Sequence, residues 1–500
     1  MLEFKSVAYS YSNSDACCVA LHEISVSFAA GKHVCIVGAN GSGKSTLLRL
    51  ANTTLLPSSG KILLDGQPMA ELTSHEVHRR VGIVKQDPCV QIVSSLVLDE
   101  VSFGPQNLGL TADEIEQRSK QALDCVGLAG FEQRSTHSLS GGEQQRLALA
   151  GVLAMKPDYV LLDEITSHLD VASRQRIRNI VDGLADAGVG VVEVSHYAQD
   201  VQEADAVILL EQGRVTWQGL PGELLESPEL LKRSCLVGAS GCHAGCFVDA
   251  NRAVTRAKSG AVALCASQVS MDGILHGVSL EISAGDLHII AGKSGAGKST
   301  LAQVLAGLIV PDAGRVTCAG LRVQPGAVGL AFQRVAEQLF CDTVLDDVMF
   351  GPQQGGMPEA QPRAQATRAL QLLGIGEELY ERNPLDLSGG QARRVALAGI
   401  IALKTGVCIF DEPTAGLDAV GREELHAVVA TLCKEGRAVI VVTHDIEEWL
   451  AQAQTLTVLD TGHVVWSGAA KKAKPVLVRT GLINSSKSSE EQGSLAGGCQ

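Results

Sequence analysis

Residues 38–46 read Gly38-Ala39-Asn40-Gly41-Ser42-Gly43-Lys44-Ser45-Thr46, and the pattern returns as Gly292-Lys293-Ser294-Gly295-Ala296-Gly297-Lys298-Ser299-Thr300. A short apolar run, 33–37 or 287–291, precedes each copy, and a helix-like segment, 45–52 or 299–305, follows it. A strand, a glycine turn and a helix in this order form a loop whose backbone N–H groups converge on phosphate oxygens. The sequence therefore predicts an α/β fold with a parallel-sheet core and a nucleotide site in each copy.

The two loops belong to a longer internal repeat. Leu139-Ser140-Gly141-Gly142 recurs as Leu387-Ser388-Gly389-Gly390, 248 residues later, and Asp163-Glu164 recurs as Asp411-Glu412 at the same spacing. His196 and His444 also stand 248 residues apart. Landmarks that recur in one order indicate duplication of a whole domain.

Two segments lack the apolar periodicity of the repeats. Residues 227–262 are rich in Gly, Ala, Ser and Cys, which is typical of a linker. Residues 471–500 begin basic and become rich in Ser, Gly and Glu, which favours disorder. We therefore expect one domain at 1–226, a second at 263–470, and an unstructured tail after it.

Composition excludes several classes of protein. Lys and Arg number 41 against 55 Asp and Glu, a net charge of −14, so the chain has no basic field to attract nucleic acid. Apolar residues make up 45%, yet the longest runs, such as 147–155, are about nine residues long. A membrane-spanning helix needs ~20. The N-terminus also lacks the pattern of a secretory signal. We expect a cytoplasmic protein that neither binds nucleic acid nor crosses the bilayer.

The repeated polar residues suit the chemistry of ATP hydrolysis. Lys44 is expected to contact the β- and γ-phosphates, while Ser45 and the strand-end carboxylate Asp163 hold Mg²⁺. Glu164 comes directly after that aspartate and suits the attacking water. His196 follows an apolar strand and is expected to donate to the γ-phosphate. The corresponding residues of the second copy are Lys298, Ser299, Asp411, Glu412 and His444.

Together with Gln86 and Gln333, which follow short predicted strands, these motifs resemble the ATP-binding cassette ATPases over nearly the whole chain. In that family two cassettes pair head to tail, and each ATP lies between the P-loop of one and the Leu-Ser-Gly-Gly signature of the other. The resemblance implies that the two cassettes pair within this chain, that a helical subdomain carries each signature, and that the two glutamines help to hold Mg²⁺. One implied site combines Lys44, Gln86, Asp163, Glu164 and His196 with Ser388, Gly389, Gly390 and Gln391. The other combines Lys298, Gln333, Asp411, Glu412 and His444 with Ser140, Gly141, Gly142 and Glu143.

A narrower resemblance follows the two glutamines. Gln86-Asp87-Pro88-Cys89-Val90-Gln91 with Phe103-Gly104-Pro105, and Phe332-Gln333 with Phe350-Gly351-Pro352, are similar to the ATPase subunits of energy-coupling factor importers. Those importers take up vitamins or cobalt and nickel ions. The resemblance implies a peripheral position on the cytoplasmic face of the membrane. The implied partners are a transmembrane coupling protein, whose cytoplasmic helices dock near 86–110 and 333–354, and a small membrane protein that binds the solute.

Two other functions remain open. A duplicated ATPase of a sugar importer has a similar length, but the Phe-Gly-Pro segments and the intact second P-loop favour the energy-coupling type. A soluble twin-cassette factor that acts on ribosomes would want a basic face and a charged linker, which the net charge of −14 disfavours. The imported solute does not contact the ATPase, so its identity lies in another chain.

The copies also differ from each other. Tyr11 suits the aromatic ring that stacks on adenine, whereas 264–270 contain no aromatic residue. Glu143 replaces the signature glutamine that the second copy keeps as Gln391, and Ile165 replaces the proline kept as Pro413. His168 is also unusual, and its effect stays open. We expect both sites to hydrolyse ATP and the Lys298 site to bind it more weakly.

Overall fold

The computed structural model describes residues 1–13, 16–167, 169–238, 261–355 and 360–483. The chain divides into two compact units, Met1–Phe247 with Ala415–Glu423 and Val248–Thr414 with Glu424–Gln500. Each unit contains a six-stranded sheet, a four-stranded sheet and a group of helices. The predicted α/β fold of two tandem repeats is therefore confirmed.

The elements of the first repeat follow one another as the motifs suggested. In chain order they are β1 (Leu2–Asn13), β2 (Ala16–Phe28), β3 (His33–Val37), α1 (Lys44–Ala51), β4 (Ser59–Leu64), β5 (Gln67–Pro68), α2 (Ser74–Arg80), β6 (Val81–Val84), α3 (Val97–Asn107), α4 (Ala112–Cys125), α5 (Gly141–Leu153), β7 (Tyr159–Asp163), α6 (Val171–Asp186), β8 (Gly190–Val194), α7 (Ala198–Glu203), β9 (Ala206–Glu211), β10 (Arg214–Gly219), α8 (Pro221–Glu226) and α9 (Pro228–Ser234).

The six-stranded sheet has the order β10-β9-β3-β8-β7-β6, and all neighbours except β10 and β9 are parallel. Strands β3, β7 and β8 are buried along their whole length, as expected for parallel strands covered on both faces. Because parallel strands end at the same edge, the segments that follow β3, β6, β7 and β8 meet there. The P-loop, Gln86 and His196 lie in those segments, and Asp163 is the last residue of β7.

A four-stranded antiparallel sheet, β2-β1-β4-β5, covers one face and was not anticipated. Its inward residues alternate along β1, and the Phe4 and Phe28 rings meet edge to face at 6.2 Å. These rings share a core with Ile36 and Leu161 of the parallel sheet. The opposite face packs against α3, α4 and α5 through a second core that includes Leu147.

The second repeat has the same design, with sheet orders β12-β11-β14-β15 and β16-β17-β18-β13-β19-β20. From Val262 onward the elements are β11 (Val262–Met271), β12 (Leu275–Ser283), β13 (Leu287–Gly292), α10 (Lys298–Leu305), β14 (Ala313–Cys318), β15 (Leu321–Arg322), β16 (Gly329–Ala331), α11 (Val344–Gln354), α12 (Ala360–Leu372), α13 (Gly389–Ala402), β17 (Val407–Asp411), α14 (Ala419–Lys434), β18 (Ala438–Thr443), α15 (Ile446–Leu450), β19 (Thr455–Asp460), β20 (His463–Ala469) and α16 (Lys474–Arg479).

Ordered structure extends into the expected linker and tail. Helix α9 lies inside the segment 227–262 assigned to the linker, and Leu231 packs into the core of the first unit. Helix α16 lies inside the tail assigned to 471–500, where Leu477 is fully buried. Each helix offers too few apolar positions to show a period in the sequence, so only packing reveals it. His168 lies outside the described residues.

No helix within the described ranges combines the length and apolar character needed to span a bilayer.

A buried ion pair distinguishes the first parallel sheet from the second. His33 Nε2 lies 2.9 Å from Glu193 Oε2, and both side chains are 5% exposed. By strand register the second repeat has Leu287 and Val441 at these positions. Burial lowers the pKa of His33, but the hydrogen bond and charge of Glu193 outweigh it, so the pKa of His33 is raised overall. The first repeat thus has two polar side chains at buried positions where the second repeat has apolar ones.

Replacing the pair with the residues of the second repeat tests how the buried ion pair affects the stability of the first unit. His33→Leu or Glu193→Val alone leaves one polar partner buried, and we expect each to destabilise the first unit by about 3–5 kcal/mol. The double variant should be within about 1 kcal/mol of wild type or more stable, because no buried charge remains. Hydrogen exchange of the β3 and β8 amides, compared with β13 and β18, measures the effect. A double variant as unstable as either single variant would contradict the expectation.

The same variants should differ in pH dependence. The folded-state pKa of His33 lies above its ordinary value of 6.5, so its charged form stabilises fully below pH 6.5. That stabilisation is lost as the pH rises through the raised pKa. Relative to wild type, the double variant should therefore gain stability as the pH rises from 6.5. A constant difference across this range would exclude a charged pair.

Candidate active site

The P-loop of each unit connects a buried strand to a helix. Gly43 has φ +102°, and a Cβ there would lie 2.8 Å from the Ala20 carbonyl oxygen, so only glycine fits. Lys44 Nζ donates to the Gly38 and Ala39 carbonyl oxygens at 2.8 and 2.9 Å. Lys298 Nζ makes the matching bonds to Gly292 and Lys293 at 2.8 and 3.0 Å. Both lysines thus lie over loops whose curvature suits phosphate.

A carboxylate and a hydroxyl meet beside each P-loop. Ser45 Oγ donates to Asp163 Oδ1 at 2.9 Å, and Ser299 makes the corresponding bond to Asp411. Burial raises the pKa of each aspartate to about 6. Within the described part of the chain, the buried Asp411 Oδ1 has no hydrogen-bond partner. A hydroxyl and a buried carboxylate with spare lone pairs suit Mg²⁺, so these residues fit the predicted cation.

Two of the predicted site residues contact the Glu164 carboxylate. Gln86 Nε2 donates to its Oε2 at 3.1 Å, and His196 Nε2 lies 3.0 Å from its Oε1. Glu164 itself has φ +50°, an unfavourable backbone conformation for a side chain of this kind. The ends of β6, β7 and β8 thus bring Gln86, Glu164 and His196 into one hydrogen-bonded group.

Glu412 occupies the same position in the second unit, where the corresponding histidine and a threonine contact it. His444 Nδ1 lies 2.8 Å from Glu412 Oε1, and Thr443 Oγ1 donates to Oε2 at 3.2 Å. Burial would raise the pKa of Glu412, but His444 and Lys298 outweigh it and the net shift is downward. Glu412 has φ +49°, as in the first unit. Sequence analysis missed Thr443, whose only signal is a hydroxyl residue directly before the histidine.

Each signature segment begins a helix. Ser140 caps α5, and Glu143 Oε2 accepts from the Ser140 N–H at 2.7 Å and from its hydroxyl at 2.8 Å. Ser388 caps α13, and Gln391 Oε1 accepts from the Ser388 N–H at 3.1 Å. Glu143 and Gln391 therefore perform the same capping function. The Glu143 carboxylate is therefore engaged with the start of its own helix.

Tyr11 lies beside the first P-loop helix. Its hydroxyl is 3.1 Å from Thr46 Oγ1, and its ring meets that of Tyr9 at 4.9 Å. In the second unit Met271 pairs with Leu275 as Tyr9 pairs with Leu21, and the hairpin then turns. The shorter second hairpin therefore leaves no position equivalent to Tyr11.

The segments after the two glutamines expose apolar side chains on anchored loops and on the helices that follow them, α3 and α11. Glu100 Oε2 accepts from the N–H groups of Val93 and Ser94 at 2.9 and 2.7 Å. Asp347 Oδ2 accepts from those of Phe340 and Cys341 at 2.8 and 2.9 Å. The exposed residues are Val90, Val93 and Phe103 in the first unit and Phe340 and Phe350 in the second. Such grouped exposure is typical of a contact surface.

The chain is similar to known proteins over most of its length. The family model described as ABC transporter matches residues 21–167 and 275–415. An ABC transporter ATP-binding protein of Bifidobacterium longum is 34% identical over 497 residues, covering 89% of this chain and 63% of the relative, just under two thirds of its length. An ABC transporter ATP-binding protein of Methanosarcina acetivorans is 31% identical, covering 93% of this chain and 85% of the relative. The solved structure of CbiO1 from Clostridium perfringens, part of the ABC transporter complex CbiONQ, aligns with a TM-score of 0.42 and 34% identity, covering 46% of this chain and 92% of that one.

The Tyr11 geometry predicts unequal ATP affinities. In a Lys298→Ala background, which leaves the first site, Tyr11→Ala should raise the Kd for ATP about tenfold, because a stacking ring contributes ~1–3 kcal/mol. Tyr11→Phe keeps the ring and should stay within about twofold. Calorimetry on these variants, and on Lys44→Ala for the second site, gives each affinity. Equal affinities of the Lys44→Ala and Lys298→Ala chains would refute the asymmetry.

Proposed function

Because this chain belongs to the ATP-binding cassette family of ABC transporter ATPases, we propose that it is the ATP-hydrolysing subunit of an energy-coupling factor type importer. The solute is a vitamin or a transition-metal ion. The proposal of ATP hydrolysis rests on one observation, the pair of buried glutamates Glu164 and Glu412. Each follows the end of a central strand, and each lies within hydrogen-bond distance of a histidine.

The hydrolytic step follows from where these side chains lie. Lys44 and the P-loop N–H groups bind the β- and γ-phosphates, and Glu164 accepts a hydrogen bond from water in line with the γ-phosphate. His196 holds the Glu164 carboxylate and donates to the γ-phosphate as charge develops. When bound by Ser45, Asp163 and Gln86, or by Ser299, Asp411 and Gln333, Mg²⁺ supplies positive charge to the phosphate oxygens.

We further propose that the two cassettes pair within the chain, as the family resemblance implies. Each signature helix then presents its N-terminal N–H groups to the γ-phosphate held by the other cassette. Ser140 and Ser388 cap these helices, and in the proposed pairing each would face the nucleotide of the other cassette.

The importer part of the proposal is supported by the exposed apolar residues after Gln86 and Gln333. Phe340, 65% exposed, packs edge to face with Phe350 at 4.9 Å and forms an aromatic surface. Gln338 Oε1 accepts from the Phe332 N–H at 3.2 Å, which ties this loop to the residue before Gln333. A cytoplasmic helix of a transmembrane coupling protein that docks on this surface would therefore act on the loop that carries Gln333. A second membrane protein binds the solute, and the ATPase lies at the cytoplasmic face.

Loss of the glutamate charge should separate binding from turnover. In the Glu164→Gln, Glu412→Gln chain we expect the Kd for ATP to stay within about threefold, while kcat falls ~10²-fold or more. The amide keeps the shape of the side chain but cannot accept a proton from water. Equilibrium binding of ATP and steady-state phosphate release measure the two effects. Unchanged phosphate release would remove both glutamates from the mechanism.

The aromatic surface predicts which membrane proteins copurify with the chain. Detergent extracts of the tagged wild type should yield a transmembrane coupling protein and a small solute-binding membrane protein. Phe340→Asp, Phe350→Asp should lose both while keeping its own ATPase activity. Leu321→Asp, an exposed apolar position elsewhere in the second unit, is the matched control and should retain them. Recovery of ribosomes, or of sugar-importer permeases, would refute this importer type.

A further inference from the structure

Helix α13 carries a buried arginine that the motifs do not explain. Arg393 lies five residues after Ser388 and is 8% exposed. Its Nη1 donates to the Glu412 carbonyl oxygen at 2.8 Å, and its Nη2 donates to the Gln333 carbonyl oxygen at 3.0 Å. One planar guanidinium thus joins the backbone of two candidate site residues to the helix that begins with the signature.

The guanidinium keeps its charge in this position. Burial lowers the pKa of Arg393 to about 10, while the nearby Glu412 and Asp411 oppose that shift. The side chain is therefore protonated at neutral pH, and its charge is balanced by the two carboxylates that the site needs ionised. A buried charge is costly to keep, so its retention beside the site calls for a functional explanation.

The first unit provides an internal comparison. Gln145 occupies the corresponding position, five residues after Ser140, and its Nε2 donates to the Lys85 carbonyl oxygen at 3.1 Å. That hydrogen bond joins Gln145 to the segment of Gln86 and not to Glu164, and the Gln145 amide carries no charge. The first unit therefore joins its signature helix to the glutamine segment, whereas the second joins its helix to the glutamine segment and to the glutamate.

We propose that Arg393 is a positioning residue of the second ATP site. By donating to both carbonyl oxygens, it holds the backbone of Gln333 and the backbone of Glu412 in a fixed relative position. A carbonyl held by a charged donor restricts rotation about the ψ angle of its residue. Arg393 thereby restrains the backbone from which the Glu412 side chain projects. The same contact ties the orientation of Glu412 to any movement of α13. This inference rests on the proposed ATPase function.

Three variants test the role. Each is made in a Glu164→Gln background, in which hydrolysis comes from the second site. There Arg393→Gln introduces the residue of the first unit, and we expect kcat for ATP to fall about tenfold while KM stays within about twofold, because orientation rather than binding is lost. Arg393→Lys keeps the charge but can reach one carbonyl at a time, so its kcat should be intermediate. Arg437→Gln is the matched control, since Arg437 is mostly buried and donates to the Ile401 carbonyl oxygen at the far end of α13, 3.1 Å away.

Steady-state hydrolysis and thermal melting of the full chain, with Mg²⁺ and ATP, compare each variant with the Glu164→Gln parent. A fall in kcat at unchanged KM in Arg393→Gln, with Arg437→Gln at the parent's kcat, supports the proposal. The parent's kcat in a folded Arg393→Gln chain, or equal losses in both glutamine variants, overturns it. If Arg393→Gln does not fold, the Arg393→Lys variant decides. The parent's kcat in that variant overturns the proposal, and a reduced kcat at constant KM supports it. Absence of hydrolysis by the wild type would instead refute the proposed function.

Discussion

A buried carboxylate at the end of a parallel strand is the constraint on which the rest of each unit depends. Glu164 and Glu412 lie where the central strands end, in a place that water reaches poorly. A charge there needs hydrogen-bond donors from its neighbours. The parallel sheet supplies them, because adjacent strands end at the same edge and deliver histidine, glutamine or threonine to one point. The order of the strands in the sheet thus determines which side chains lie next to the glutamate.

The two repeats meet this constraint with different side chains. In the core between the sheets, Phe4 and Phe28 of the first unit correspond by register to Ala266 and Ile282 of the second. In the parallel sheet, an ion pair of the first unit corresponds to two apolar residues. Cores tolerate such exchanges when total packing is preserved, so they alter stability more than architecture. Among the differences that reach the site are the shorter second hairpin and the exchange of Gln145 for Arg393.

Because of those differences, the two sites have different supporting side chains although they lie on the same fold. The first has an aromatic ring beside its P-loop and a glutamine side chain on its glutamate. The second has a threonine on its glutamate and a charged group that holds the glutamate backbone. A duplicated chain can vary one copy while the other retains its arrangement. At the two sites, the variation lies in the groups that support the reacting residues.

The sequence by itself determined the P-loops, the Asp-Glu strand ends, the histidines and the α/β class. Each of these rests on contiguous residues, where backbone geometry links a short pattern directly to a strand, a turn and a helix start. Only the tertiary structure decided which partners hold the glutamates, because Gln86 and Glu164 are 78 residues apart and Arg393 and Gln333 are 60 apart. The antiparallel sheets and the short helices α9 and α16 were also beyond the sequence pattern. Their positions follow from long-range strand pairing and from the burial of a few leucines, and neither leaves a local period in the chain.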